Sequence, residues 1–266
     1  MNNSLVVLDH VRLNFSPASL ILLNIALAIV MFGVALDIKV DHFTNLIKKP
    51  KSAIVGFSSQ TFLLPAFTFL LVILLNPTPT IALGMIMVAA CPGGNISNFI
   101  SSMAKGNVAL AVSLTAISTL AAIFFTPFNF AFWGNMYIHF YNAHSAAGLV
   151  RPLEIDNYQM FETVFILLGM PVMAGLFIAR KFPVFTEKIK KPINKGSLIF
   201  FVLMVITMLA ANFSQFMAYI HLVFLFVLLQ NTIAMTTGYF FSSLFKCSQK
   251  DKRTIAIETG IHNSGL

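Results

Sequence analysis

The chain has 266 residues, of which 58% are hydrophobic and 10% are charged, and its mean hydropathy is +0.84. This composition excludes an ordinary soluble domain and indicates a polytopic protein embedded in a lipid bilayer. The formal net charge of +8 does not indicate a nucleic-acid partner, because the basic residues fall in connectors between uncharged stretches.

The first half of the chain predicts four membrane spans. The longest uncharged stretch contains 53 residues, between Lys51 and Lys105. At about 1.5 Å per residue this is too long for one crossing of a ~30 Å hydrocarbon core, so it must fold back. The Asn-Pro-Thr-Pro sequence at residues 76–79 predicts the turn. The four spans are A (13–36), B (about 53–75), C (about 80–103) and D (about 107–133).

The second half predicts four more spans. Span E covers about residues 158–179, and the uncharged stretch 196–245 divides near Asn212 into spans F and G. Span H begins at Thr254. We therefore predict an all-α membrane protein with about eight transmembrane segments, which form a single domain over residues 1–266.

The basic residues lie almost entirely in alternate connectors. Fifteen of the 17 lysines and arginines follow spans A, C, E or G, and only Arg12 and Arg151 fall elsewhere. Positively charged connectors remain on the cytoplasmic side of a membrane. We therefore expect an N-terminus on the outside and a multi-pass protein of the plasma membrane or of a bacterial inner membrane.

Span H is too short to cross the bilayer. Its 13 residues from Thr254 to Leu266 extend only about 20 Å as a helix. A terminal carboxylate would then lie inside the hydrocarbon layer, where a charge is costly. We expect the chain to be incomplete at its C-terminus and to lack the rest of this span and one further span.

Spans C and H are interrupted by polar and helix-breaking residues. Unwound backbone at bilayer depth requires protein or a water-filled cavity to satisfy its amide and carbonyl groups. Matching interruptions in two halves indicate an inverted-repeat transporter with a solute site where the broken helices cross, here with halves of about 18–133 and 158–266. The interruptions lie at Cys91–Asn98, with Pro92, Gly93 and Gly94, and at Glu258–Gly265, with Gly260.

Polar side chains near the two interruptions predict a cation site. A carboxylate within an apolar helix, such as Glu258, requires a cation, a proton or a cavity. Sodium prefers oxygen ligands such as those of Gln60, Ser97, Asn98 and Thr115. Each alone is explained by hydrogen bonds between helices, but the set with Glu258 is not. The two cysteines show no metal-ligand spacing, so we expect no transition metal and no cofactor.

These interruptions resemble two crossover motifs of the bile acid:sodium symporter family. Residues 91–94, Cys-Pro-Gly-Gly, followed by Ser97 and Asn98, resemble the first motif, and residues 258–260, Glu-Thr-Gly, followed by Asn263, resemble the second. The resemblance extends from about residue 20 to the end and fits the nine-span form of the family. Further similar segments are Met31–Gly33, Gln60 with Pro65, Gly106–Leu110, and Thr115 with Ser118–Leu120.

The resemblance implies a core domain, in which broken helices C and H cross, beside a panel domain of spans A, E and F. Members of the family move organic anions, bile acids among them, with an inward sodium gradient. By similarity, one sodium site uses Ser97, Asn98, Thr115 and Glu258. A second uses Gln60, Glu258, the carbonyl groups of Thr259 and Ile261, and the side chain of His262, while the substrate contacts Asn95 and Asn263.

Three residues depart from the family pattern. His262 stands where glutamine is usual, Asn95 replaces a usual threonine, and Ala111 occupies a position where some relatives place a sodium-binding hydroxyl. These departures bear on the second sodium site, the substrate preference and the first sodium site, respectively.

The sequence therefore predicts a secondary active transporter that carries sodium together with a bile acid-like or small carboxylate anion. The alternatives are a proton-coupled or uncoupled organic anion exporter, and a sensor or nonfunctional remnant of the same fold. We expect no enzymatic activity, because no nucleophile, base and orienting group occur at suitable spacing.

Overall fold

The computed structural model describes residues 16–38, 50–144 and 156–262, and nearly all of them are helical. No strand occurs in these ranges, where an isolated antiparallel bridge joins Gly93 to His262. The predicted all-α class is confirmed. In chain order the helices are α1 (Pro17–Leu36), α2 (Pro50–Leu75), α3 (Pro79–Ala90), α4 (Asn95–Met103), α5 (Val108–His144), α6 (Asn157–Val164, Phe165–Gly169 and Met170–Lys181), α7 (Pro183–Ala211), α8 (Phe213–Leu244) and α9 (Gln249–Gly260).

Six helices in the described part of the chain are long and apolar enough to cross a membrane. They are α1, α2, α5, α6, α7 and α8, which correspond to the predicted spans A, B, D, E, F and G. Span C is divided into α3 and α4, and α9 covers the beginning of span H. The polytopic membrane class is confirmed, and the predicted total of about eight is reached only when the two interrupted segments are included.

Three predicted boundaries were wrong, and one is the start of span F, since α7 begins at Pro183 rather than near residue 196. Helix α9 begins at Gln249 rather than at Thr254, because Ser248 caps it by accepting a hydrogen bond from the Asp251 amide at 3.2 Å. Charged residues are therefore part of this helix. Helix α5 continues to His144, beyond the predicted end of span D near residue 133.

Helices α2 and α6 each contain a π-helical turn shortly before a proline. In α2 the turn Ser59–Leu63 precedes Pro65, which has no N–H to donate to the carbonyl group of Thr61, four residues earlier. Asn129 of α5 donates its side-chain amide to that carbonyl oxygen at 2.8 Å. The helix therefore continues through the bilayer without an unpaired carbonyl group at this position.

The helices pack as two groups. The panel group contains α1, α6 and α7, and the core group contains α2 to α5, α8 and α9. In the panel group, Gly175 lets α6 lie directly against α1, since a Cβ atom there would be 2.7 Å from the Ala35 Cβ atom. One apolar cluster joins the groups and contains Met31, Ala35, Ala122, Ile123, Val164, Leu168 and Val172.

Close contact between α8 and α9 depends on Gly238. A Cβ atom at this position would lie 2.8 Å from the carbonyl oxygen of Ile255 and 2.9 Å from the Cα atom of Ala256. Both neighbours are backbone atoms of α9, so a side-chain rotation cannot relieve the overlap. The glycine thus sets the distance at which α9 lies against the rest of the core group.

We predict that Gly238→Ala destabilises the protein by about 1–3 kcal/mol, because α9 must move away from α8. The matched control is Gly84→Ala on α3, where a Cβ atom would meet nothing within 4 Å. That change leaves stability unaltered or raises it, since alanine favours helix. The measurement is thermal unfolding in detergent by circular dichroism, and equal melting temperatures for both variants would contradict the prediction.

Candidate functional site

The first interruption separates α3 from α4 over residues 91–94. Cys91 adopts an extended conformation with φ −75° and ψ 152°, and Pro92 follows it. The carbonyl group of Ala90, at the end of α3, accepts a hydrogen bond of 2.8 Å from the Thr126 hydroxyl of α5. A polar side chain of a neighbouring helix therefore satisfies backbone that the interruption leaves unpaired.

The second interruption begins later than the sequence predicted. Residues Glu258, Thr259 and Gly260 are helical, and the chain leaves the helix at Ile261, with φ −119° and ψ 101°. Gly260 was predicted to break the helix and instead ends it. Its lack of a side chain serves packing, because a Cβ atom there would overlap Met235 of α8.

The two interruptions lie against each other. Gly93 pairs with His262 in the antiparallel bridge, and the Gly94 amide is 3.5 Å from the Ile261 carbonyl oxygen. The His262 ring links both segments, with Nδ1 2.9 Å from the Cys91 carbonyl oxygen and Nε2 2.5 Å from that of Thr259. A neutral imidazole carries one N–H, so in either tautomer it donates to only one of these carbonyl groups.

The Glu258 carboxylate is fully buried between α4, α5 and α9. Its Oε1 atom is 2.6 Å from the Ser97 hydroxyl, and its Oε2 atom is 3.0 Å from the Thr115 hydroxyl. The Ser97 hydroxyl is also 2.5 Å from the Gly94 carbonyl oxygen, and the Thr115 hydroxyl is 3.2 Å from Asn98 Oδ1.

The two hydroxyl groups of this cluster make more contacts with oxygen atoms than they have hydrogens to donate. The hydroxyls of Ser97 and Thr115 take part in four contacts, yet each hydroxyl has one hydrogen to donate. Two of the four contacts therefore bring oxygen atoms together without a hydrogen between them. A bound cation, or a proton on Glu258, would compensate these contacts and the buried charge.

Gln60 contributes an unpaired amide beside the same carboxylate. Its side chain is 4% exposed, and neither of its amide atoms has a hydrogen-bond partner among the described residues. A Cβ atom at Gly93 would lie 3.0 Å from Glu258 Oε2 and 3.8 Å from Gln60 Oε1. The hydroxyls of Ser59 and Thr259, 3.0 Å apart, hold this part of α2 against α9.

An apolar groove lies between α5 and α6 close to the first interruption. Its volume is about 480 Å³. Phe125 borders both this groove and a small cavity that Gln60, Cys91 and Pro92 also line. The groove is lined by Phe124, Phe125, Pro127, Phe128, Ala131 and Phe161.

The structure places the predicted ligands as follows. Ser97, Asn98, Thr115 and Glu258 form one contact cluster, and Gln60 lies beside it. Thr259 and Ile261 direct their carbonyl groups toward residues of the crossing. Asn95 is the first residue of α4, and Asn263 lies outside the described residues.

Two residues not predicted from the sequence, Thr126 and Asn129, donate hydrogen bonds to the backbone of the neighbouring helices α3 and α2. These two polar residues lie three positions apart, and therefore on one face, in an otherwise apolar part of span D. That spacing was the signal available in the sequence.

Residues 24–219 match the model of the Sodium Bile acid symporter family. The chain is 31% identical to the uncharacterized sodium-dependent transporter YocS of Bacillus subtilis, over 92% of this chain and 71% of that protein. It is 31% identical to the probable sodium/metabolite cotransporter BASS1 of Arabidopsis thaliana, over 91% of this chain but only 57% of that protein. It is 28% identical to the human ileal sodium/bile acid cotransporter, over 92% of this chain and 67% of that protein.

We predict that Thr126→Val destabilises the protein by about 1–3 kcal/mol, because the buried Ala90 carbonyl group loses its donor while the side-chain volume is nearly kept. Thr126→Ser retains the hydroxyl and should keep most of the stability. Thr232→Val is a second control, since the Thr232 hydroxyl is exposed and bonds within its own helix. Thermal unfolding in detergent measures the three variants, and similar losses for Thr126→Val and Thr232→Val would contradict the prediction.

Proposed function

The chain belongs to the sodium bile acid symporter family, and we propose that it carries an organic anion across the membrane together with sodium. It is an integral multi-pass membrane protein of a transporter family and not an enzyme.

The main support for this proposal is the buried Glu258 carboxylate. The hydroxyls around it make more oxygen contacts than they have hydrogens to donate. A sodium ion among Glu258, Ser97, Thr115 and Asn98 would neutralise the carboxylate and use the hydroxyl lone pairs that face it. Because these residues come from α4, α5 and α9, the ion would also hold the three helices together.

A second sodium ion would lie between Gln60 and the second interruption. The unpaired Gln60 amide offers an oxygen ligand, and Glu258 is shared with the first ion. The carbonyl groups of Thr259 and Ile261 complete the proposed set with His262. Because His262 Nε2 already lies 2.5 Å from the Thr259 carbonyl oxygen, the ring must shift when an ion binds there.

The anionic group of the substrate would bind at the crossing of the interrupted helices. We place it at Asn95 and Asn263, where the amino-terminal end of α4 also offers free amide groups. The apolar groove beside Phe125 can receive a hydrophobic body, and its volume is in the range of small-molecule sites. This arrangement supports an amphipathic anion, bile acid-like, as well as a smaller carboxylate.

Transport would follow from movement of the core group against the panel group. Sodium bound at Glu258 favours the crossing that binds the anion, so the two ligands raise each other's affinity. The apolar cluster between the groups permits such a shift without breaking hydrogen bonds of the site. From the distribution of basic connectors we propose an outside N-terminus, in a plasma membrane or a bacterial inner membrane.

We predict that Glu258→Gln weakens sodium binding about 100-fold or more, because it removes the charge that a buried cation pairs with. The control is Glu162→Gln, since Glu162 is exposed on α6. Sodium binding is measured as the rise in melting temperature with sodium concentration, relative to potassium at equal ionic strength. Equal sodium dependence in Glu258→Gln and the parent protein would refute sodium coupling at this site.

Uptake into proteoliposomes separates the remaining alternatives. Uptake that follows pH and ignores sodium would indicate a proton-coupled or uncoupled exporter. Stabilisation by an anion without any flux would indicate a sensor or a transport-inactive protein.

We predict that Gln60→Leu weakens sodium binding about fivefold, the equivalent of roughly 1 kcal/mol for one lost ligand, without lowering stability in the absence of sodium. The reason is that the Gln60 amide has no partner to lose within the described protein. Gln230→Leu is the contrasting variant, because Gln230 donates to the Met85 carbonyl group at 2.8 Å and its loss should lower stability. The same thermal assay measures both variants; a destabilised Gln60→Leu with normal sodium dependence would contradict the assignment.

A further inference from the structure

Polar and small side chains continue from Glu258 along three facing helices to the ends of those helices. On α9 they are Thr254 and Asp251, and on α4 the next residue of the same face after Ser97 is Ser101. On α5 the face of Thr115 continues through Ala111 toward Asn107. We call Ser97, Ser101, Asn107, Ala111, Thr115, Asp251, Thr254 and Glu258 the polar stripe.

The far end of the polar stripe is a second buried carboxylate. Asp251 is 3% exposed and accepts hydrogen bonds from the Ser52 hydroxyl at 3.0 Å and the Asn107 side-chain amide at 2.6 Å. The Thr254 hydroxyl accepts a bond of 2.8 Å from the Asn107 backbone amide. This end lies beside the basic segment 246–253, which the distribution of charges places in the cytoplasm.

The middle of the polar stripe contains an unpaired hydroxyl. Ser101 is fully buried, and its Oγ atom has no hydrogen-bond partner among the described residues. A Cβ atom at Gly106 would lie 2.6 Å from the Thr254 hydroxyl and 3.0 Å from the Ser101 carbonyl oxygen, so the backbone of Ser101 lies close to the Thr254 side chain. Beside them Ala111 is fully buried and small.

The spacing of the polar groups suits the passage of a small cation. Glu258, Thr254 and Asp251 lie four and three residues apart, which corresponds to about 6 Å and about 4.5 Å along a helix. At one edge of the stripe Ile255, next to Thr254 on α9, packs with Leu110 and Leu114 of α5 in an apolar cluster. Oxygen groups thus lead from Glu258 toward the cytoplasm along the polar stripe, and hydrocarbon borders them.

We propose that the polar stripe is the route by which a sodium ion at Glu258 exchanges with the cytoplasm, with Ser101 as an intermediate ligand and Asp251 as the receiving carboxylate. The proposal rests on sodium binding at Glu258 as proposed above. It gives the unpaired Ser101 hydroxyl a partner during passage and explains why a carboxylate is buried at the cytoplasmic end. The competing explanation is that the stripe only joins the helices through hydrogen bonds.

The first test uses Ser101→Ala, which removes an oxygen atom but no hydrogen bond of the described structure. If the stripe only joins helices, this change leaves sodium exchange unaltered. If Ser101 is a ligand on the route, the dissociation of radiolabelled sodium slows about fivefold, while the equilibrium affinity and the melting temperature stay unchanged. The control is Ser113→Ala, because the Ser113 hydroxyl is buried on the opposite side of α5 and bonds the Ala109 carbonyl group. A rate equal to that of the parent protein would overturn the role of Ser101.

The second test asks directly whether a cation enters the stripe. In a protein whose Cys91 and Cys247 are replaced by alanine, the thiol introduced by Ser101→Cys should react with silver ions, and sodium should slow the reaction. The thiol introduced by Ser113→Cys should remain unreactive. If the Ser101→Cys variant reacts no faster than the Ser113→Cys variant, the route is overturned, whatever the sodium affinity.

The same measurements distinguish this proposal from the one on which it rests. If the parent protein does not bind sodium, sodium coupling at Glu258 fails. The silver reaction still decides, in that case, whether the stripe admits a cation. If sodium binds and neither variant of Ser101 behaves as expected, the route fails while the site remains.

Discussion

The contact of the Glu258 carboxylate with the hydroxyls of Ser97 and Thr115 joins three helices at the depth where two of the predicted spans are interrupted. A buried carboxylate is costly in a bilayer protein unless it is paired or neutralised. The hydroxyls of Ser97 and Thr115 make more oxygen contacts than they have hydrogens to donate. A proton on the carboxyl group or a bound cation would complete the cluster, and a ligand that binds there would stabilise the packing of α4, α5 and α9.

Backbone groups freed inside the helical bundle are satisfied by side chains of α5. Thr126 bonds the Ala90 carbonyl group at the end of α3, and Asn129 bonds the Thr61 carbonyl group that Pro65 leaves unpaired. His262 reaches the Cys91 carbonyl group from the other interrupted segment. With these bonds, irregular backbone lies within protein and not against lipid, as a membrane interior requires. Helix α5 therefore stabilises both the π-helical turn of α2 and the first interruption through side-chain hydrogen bonds.

Polar and apolar contacts are distributed differently within and between the two groups of helices. Polar contacts concentrate within the core group around Glu258 and Asp251, whereas the contact between core and panel groups is an apolar cluster that includes Met31 and Leu168. Directional bonds hold the core residues in register, and non-directional packing joins the groups. Such a distribution suits a protein that keeps a binding geometry constant while one group moves against the other.

Local composition along the chain was enough to predict the membrane class, the order of the spans and the approximate positions of the two interruptions, but not every boundary. The signals were uncharged stretches long enough to cross a bilayer, and the residues Pro92, Gly93 and Gly94 that disfavour helix. Glu258 was also identified as costly, because a charge among apolar residues is visible without coordinates. Span H was placed too late, since Ser248 and Asp251 form a cap that hydropathy does not detect.

Hydropathy and spacing did not show which polar groups meet; the family resemblance grouped the residues around Glu258, and the packed helices show their contacts. Glu258 and Ser97 are 161 positions apart in the chain, and Asp251 and Ser52 are 199 apart. Contacts at such separations depend on how the helices pack, and hydropathy periods carry no information about packing partners. The unpaired atoms of Gln60 and Ser101 likewise appear only once every neighbour is placed. Local residue preferences thus define the helices and their interruptions, whereas packing between distant segments creates the site.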